Sequence, residues 1–193
     1  MSPLRLFIGV PVAGEAHDRL RAALADLAQV APRARHSPPG NLHLTLRFLG
    51  ATDAALVPDL GAALKQELAG ARPFSLEVAG VRGFGPPRRP RVLFADLQQG
   101  RDRLSDLAAR IDRALDSLAL PPRDRPFEAH LTLARSRDRR GDSALAEALE
   151  ALRARPFGPL SVQEVVLYES TLTPEGSRYT PRIRIPLLES PPP

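Results

Sequence analysis

The chain has 193 residues, 43% of them hydrophobic, enough to bury the core of one ordinary domain. It has no cysteine, which excludes disulfides, thiolate metal sites and thiol nucleophiles. The formal charge of +5 comes almost wholly from arginine, Lys65 being the single lysine. Guanidinium groups bind phosphate oxygens in a planar, two-pronged geometry, so this balance favours phosphate-rich partners without establishing one.

The first element is the apolar stretch Arg5 to Val10, too short for a signal core or a membrane span and suited to a buried strand. Nothing points to export or to a membrane, and a cytoplasmic protein is expected. The helical spacing of Leu20, Leu24 and Leu27 predicts a helix over Glu15 to Gln29. His17 falls in that helix and His36 in the Pro-rich loop after it, and both read as surface residues. Next come His43-Leu44-Thr45-Leu46, a helix over Leu56 to Ala69, the tripeptide Arg72-Pro73-Phe74 and a strand over Ser75 to Val81. Gly85-Pro86-Pro87 marks a hairpin into the strand Arg91 to Leu97.

From there the order repeats. A helix over Arg101 to Leu118 carries Leu104, Leu107, Ala108, Ile111 and Leu115 at helical spacing. It is followed by His130-Leu131-Thr132-Leu133, a helix over Ser143 to Ala154, Arg155-Pro156-Phe157 and a strand over Val162 to Tyr168. Pro174-Glu175-Gly176 turns into a terminal strand over Arg182 to Leu187, and 189–193 reads as a flexible tail. A β-α-β-α-β unit therefore occurs twice, over approximately 4–86 and 90–188. The expected fold is α+β: one domain of two lobes about a pseudo-twofold axis, with largely antiparallel sheets around a central cleft. Each strand set is expected to lie beneath its own helices, and the two tetrapeptides to face each other across the cleft.

On a strand, alternate side chains share a face, so His43 and Thr45 point one way while Leu44 and Leu46 point into the core. The same holds for His130 and Thr132 against Leu131 and Leu133. An imidazole titrates near neutrality, with an ordinary pKa of about 6.5, so a pair can divide the work of acid and base. One takes a proton from an attacking water, the other gives one to a departing oxygen, and the threonine hydroxyls donate to charged phosphoryl oxygens. The scheme calls for no metal or other cofactor.

With their flanks, these motifs resemble a known family. Arg5-Leu6-Phe7-Ile8-Gly9, Asn41 to Gly50 around the first tetrapeptide, and His130 to Arg135 around the second are similar to the 2H phosphoesterase superfamily. Within it they resemble the bacterial and archaeal RNA 2′,3′-cyclic phosphodiesterases, also called LigT-like 2′-5′ RNA ligases. The resemblance implies hydrolysis of 2′,3′-cyclic phosphates to 2′-phosphomonoesters, with His43 as proton donor and His130 as proton acceptor, and in some members the making or breaking of 2′-5′ linkages. It implies RNA ends or cyclic nucleotides as partners, and the protein is expected to act as a monomer. A non-catalytic RNA-end binding protein fits the charge but gives no reason for a repeated proton-transfer group. A two-His metal site lacks the carboxylate or thiolate ligands that would complete it.

Three further residues are candidates for substrate contact. Phe48 suits stacking on a nucleobase, although simple alternation sends it into the core with Leu44 and Leu46. Arg135 has the same difficulty and reaches phosphate only if its strand bulges or ends before it. Arg47 shares the face of His43 by alternation and is expected to contact phosphate. The run Arg135 to Gly141 reads as a solvated turn in preference to an RNA track.

Overall fold

The computed structural model describes residues 3–118, 120–174 and 176–188; the tail expected at 189–193 lies outside them. The strands are β1 (Leu4–Pro11), β2 (Arg35–His36), β3 (His43–Thr52), β4 (Phe74–Phe84), β5 (Val92–Gln99), β6 (Leu131–Arg135), β7 (Pro156–Val162), β8 (Glu164–Thr173) and β9 (Gly176–Pro186). The helices are α1 (Gly14–Val30), α2 (Val57–Glu67), α3 (Arg101–Asp116) and α4 (Ser143–Leu152). Each α-helix lies where the sequence predicts one. Leu20, Leu24 and Leu27 of α1 and Leu104, Leu107, Ile111 and Leu115 of α3 are all buried. The fold is α+β.

Two antiparallel sheets form, one ordered β3-β1-β8-β9 and the other β2-β6-β5-β4-β7. The two halves of the sequence are not the two sheets. β4 ends the first half and β5 opens the second, and the short hairpin through Gly85-Pro86-Pro87 pairs them in one sheet. A strand delivered by so short a turn has no reach to a second sheet. β8 compensates by returning to pair with β1.

The helices cross as well. α1 and α4 pack together and against β7, β4 and β5, while α2 and α3 pack together and against β9 and β3. The expectation that each strand set lies beneath its own helices is thus corrected: α1, which follows β1 of the four-stranded sheet, covers the five-stranded one. The exchange leaves the two sheets sharing a continuous apolar core, with Leu6, Leu44, Leu93 and Leu131 each 1% exposed or less.

Two strands were not expected. Arg155-Pro156-Phe157 leads directly into β7, an edge strand beyond β4, where the opening Pro156 is tolerated and Phe157 is fully buried. The Pro-rich loop contains β2, which pairs with β6 through Arg35 and His36. His36 is accordingly half-buried, its Nε2–H donating to the Ala31 carbonyl at 2.9 Å, and is no surface residue. His17 is three-tenths exposed and its Nε2–H reaches the Pro39 carbonyl at 3.3 Å. No helix among the described residues is long and apolar enough to cross a membrane.

Candidate active site

β3 and β6 lie against each other where the two sheets meet, and each brings its tetrapeptide to that seam. His43 opens β3, and His130 immediately precedes β6. Leu44, Leu46, Leu131 and Leu133 are buried, whereas His43, Thr45, His130 and Thr132 are half-buried and line one cleft of about 100 Å³. The alternating pattern thus anchors both strands through their leucines and delivers both imidazoles and both hydroxyls to the same space.

The rings are held alike. His43 Nδ1–H donates to the Asn41 carbonyl at 2.6 Å, and His130 Nδ1–H donates to the Glu128 carbonyl at 2.8 Å. A carbonyl only accepts, so Nδ1 carries the proton in each ring and Nε2 is left to work. The Thr45 hydroxyl lies 2.9 Å from His43 Nε2 and donates to it when the ring is neutral. The Asn41 carbonyl is itself anchored, because the Asn41 side-chain Nδ2–H donates to the Ser177 carbonyl at 2.6 Å and ties this loop to β9.

Gly9 lets β1 approach closely enough to support His43. A Cβ there would fall 2.8 Å from the Leu44 carbonyl oxygen and 3.4 Å from His43 Cδ2. Burial pulls the His43 pKa below its ordinary 6.5. The bond to Asn41 opposes that shift, while the charges of His130 and Arg135 add to it.

Beyond each tetrapeptide the strand breaks its alternation at a matched place. The β1–β3 register slips between Ile8 and Gly9, leaving Leu46 unpaired, and the β5–β6 register slips between Leu93 and Phe94, leaving Leu133 unpaired. An extra residue in one strand reverses which face the following side chains take. Phe48 therefore turns out to the cleft, 66% exposed, and Arg135 does the same from β6; both line the pocket. Simple alternation had placed both on the core side.

The slip corrects the reading of Arg47, which turns away from the cleft and is only 6% exposed. It donates to the Pro121 carbonyl and lies 3.6 Å from Asp112 of α3. Arg123 pairs with the same Asp112 at 2.7 Å and donates to the carbonyl of the bulged Leu46 at 3.2 Å. The matching Leu133 carbonyl accepts from the Ser37 backbone amide at 2.8 Å, while Ser37 Oγ donates to the Thr132 carbonyl at 2.8 Å. Arg47 thus belongs to the support of the bulge and not to the site.

Sequence reasoning passed over the aromatic backing of the rings. Phe7 stacks on Tyr168 with centroids 5.0 Å apart and lies 4.8 Å from His43, which also meets the Tyr179 ring edge-to-face at 5.1 Å. On the other side Phe84 stacks on Phe94 at 4.4 Å, and His130 meets both edge-to-face at 5.3 and 5.6 Å. The signal was present: Leu6-Phe7 and Leu93-Phe94 recur at the same offset as the two histidines. Tyr179, Ser37, Pro38 and Asn41 complete the lining and have no repeated partner that would have flagged them.

The 2′-5′ RNA ligase superfamily matches residues 8–173 of the chain. The chain belongs to that superfamily. Superfamily relatives include an RNA 2′,3′-cyclic phosphodiesterase of Archaeoglobus fulgidus, 30% identical over 91% of this chain and 96% of the relative. Another, from Thermus thermophilus, bears the same name and is 34% identical over 92% of this chain and 87% of its own. Among solved structures, a protein of Thermus thermophilus superposes with a TM-score of 0.80 at 27% identity, over 95% of this chain and 97% of that one. E. coli LigT in its apo form superposes with a TM-score of 0.77 at 25% identity, over 98% of this chain and all of its own.

Proposed function

We propose that this superfamily member hydrolyses the 2′,3′-cyclic phosphate of RNA ends, or of cyclic nucleotides, to a 2′-phosphomonoester. The observation that carries the reading is the pair of imidazoles. Each is locked by Nδ1 to a backbone carbonyl two residues upstream, and each is accompanied in the same cleft by a threonine hydroxyl. Relatives named for this activity support it.

His130 Nε2 takes a proton from water as the water oxygen attacks phosphorus. The bond from phosphorus to the 3′ oxygen breaks, and His43 Nε2–H supplies the proton that makes it a hydroxyl. Thr45 and Thr132 donate to the non-bridging oxygens as charge builds there. A 5′-hydroxyl in place of water gives a 2′-5′ linkage by the same proton movements. Phe48 offers its exposed ring to the base, and Arg135 its guanidinium to phosphate. The chain is free of cysteine, and the cytoplasm is its place of action on this reading.

The lowered pKa of His43 favours a second assignment, in which His43 is the base and His130 the acid. Against it, a phosphate anion between the rings offsets the charges of His130 and Arg135 and restores proton affinity to His43. A substrate whose 3′ leaving atom is sulfur separates the two, because a thiolate departs without a proton. The deficit of His43→Ala shrinks on that substrate if His43 is the donor, and persists if His43 is the base. The function itself is tested with 2′,3′-cyclic AMP in the presence of chelator. Turnover to 2′-AMP is expected, and no product after prolonged incubation sinks the reading.

A further inference from the structure

The positive charge of the chain is concentrated. Nine arginines and two aspartates lie in the three short segments 33–37, 85–91 and 135–142, a surplus larger than the +5 of the whole molecule. The rest of the protein is on balance slightly acidic.

The fold stitches these segments into one surface. Arg35 stands opposite Arg135 in the β2–β6 ladder. The Ser136 amide donates to the Arg91 carbonyl at 2.8 Å, and the Asp142 amide to the Pro90 carbonyl at 3.2 Å. Arg137 Nε donates to the Arg33 carbonyl at 3.0 Å, and Arg89 to the Gly141 carbonyl, also at 3.0 Å. The hairpin passes so close to Gly141, which has φ of 82°, that a Cβ there would sit 1.9 Å from the Arg89 carbonyl oxygen.

All nine arginines are exposed, and among the described residues only Arg89 reaches a carboxylate, Asp138 at 4.0 Å. Like charges directly opposite on neighbouring strands are destabilising, and Arg35 faces Arg135 in that relation. The free protein therefore carries a repulsion that a bound polyanion relieves. Arg135 belongs to both places, lining the cleft and opening the strip.

A 2′,3′-cyclic phosphate terminates the 3′ end of its strand, so every other nucleotide extends 5′-ward from the cleft. We infer that this arginine strip binds the backbone phosphates 5′ of the cyclic end, making RNA chains better substrates than free cyclic nucleotides. The inference rests on the phosphodiesterase reading and goes beyond it, since the two-histidine chemistry needs no such surface. The run 135–141 is the largely exposed turn expected, and on this inference it is also the edge of a patch assembled from three segments.

Among the described residues the side chains of Arg88, Arg139 and Arg140 make no hydrogen bond or ion pair, so R88Q/R139Q/R140Q removes three charges and no described contact. The experiment compares kcat/KM of wild type and this variant on 2′,3′-cyclic AMP and on a decaribonucleotide with a cyclic phosphate end, at about 50 and 200 mM salt. Wild type is expected to prefer the decanucleotide, with a rate that falls steeply with salt. The variant loses roughly tenfold or more on the decanucleotide, and the slope of log(kcat/KM) against log salt becomes shallower by about two, near 0.7 for each lost phosphate contact. Its unchanged rate on cyclic AMP reports an intact cleft. Equal rates of variant and wild type on the decanucleotide, or an equal loss on both substrates, overturn the strip and leave the phosphodiesterase standing. No turnover of either substrate by wild type overturns the phosphodiesterase itself.

Discussion

His43 and His130 are approached by the same construction. Each Nδ1–H reaches a carbonyl two residues upstream, each ring leans on a stacked aromatic pair, and each strand bulges at the leucine that ends the tetrapeptide. Past the bulge the sides part. The β3 side presents Phe48 beside Tyr179, and the β6 side presents Arg135 at the start of an arginine surface. The matched part brings two imidazoles to one cleft, which is what the proposed proton transfers, from the attacking water and to the departing oxygen, need. The residue five places after each histidine breaks the symmetry, and on the proposed function it sets direction, base toward the aromatic side and chain toward the cationic one.

The sharpest break in the comparison comes from removing either ring. His43→Ala and His130→Ala are each expected to lower kcat on 2′,3′-cyclic AMP by about a hundred- to ten-thousandfold, the range of positioned acid and base catalysis. Similar losses on both sides uphold the shared construction, and full turnover by either variant takes that ring out of the mechanism. The threonines come next. Thr45→Val and Thr132→Val each remove a hydroxyl expected to meet charged oxygen, and a fall in kcat/KM of roughly ten- to a hundredfold is expected. Thr45→Val should cost more, because Thr45 also holds His43 Nε2 at 2.9 Å.

The bulges differ in how they are held, and this difference can be measured. Arg123 supplies the partner of the Leu46 carbonyl from a side chain, whereas the Leu133 carbonyl is met by the backbone amide of Ser37. Arg123→Ala leaves that carbonyl without its partner and takes from Asp112 its shorter pairing. A loss of roughly 1–2 kcal/mol is expected, the pair being partly exposed, and at this chain length a Tm lower by about 2–8 °C. KM should rise as Phe48 loses its aim. Ser37→Ala forfeits only the bond from Oγ to the Thr132 carbonyl and is expected to cost about 1 kcal/mol or less. Equal melting points for the two variants would show that Arg123 does not hold the bulge.

The duplicated order of elements, the four helices and the paired tetrapeptides were legible because each is a local pattern of side-chain spacing. The exchange of strands and helices between sheets was not, since it follows from where a hairpin delivers β5, and apolar spacing is blind to that. Phe48 and Arg47 turn on one extra residue in β3, and Arg135 on one extra residue in β6. A period-2 rule carries no record of a bulge, and each slip moved the side chains that follow it to the other face. The carbonyl partners of the bulges, Arg123 and Ser37, come from remote segments and have no counterpart in the repeat. The aromatic pairs were within reach, because Phe7 and Phe94 stand in the same relation as the histidines.

The smallest effect tests whether the two sides feel each other. His43 loses its proton more readily than an ordinary imidazole because of burial first, with His130 and Arg135 adding to the shift and the Asn41 bond resisting it. Arg135→Gln removes one positive neighbour and leaves burial in place, so the His43 midpoint, followed by NMR at Cε1, should move up toward 6.5 and stop short of it. Stability should follow. A folded-state pKa below that of the unfolded chain stabilises the protein above about pH 6.5, and that contribution is lost as pH falls through the folded pKa. Arg135→Gln narrows the gap, so the variant should lose less stability than wild type as the pH is lowered through that window. A midpoint that stays put in Arg135→Gln but rises in His130→Gln would mean that the rings speak only to each other. The guanidinium would then be too weakly coupled to His43 to share a bound phosphate with it.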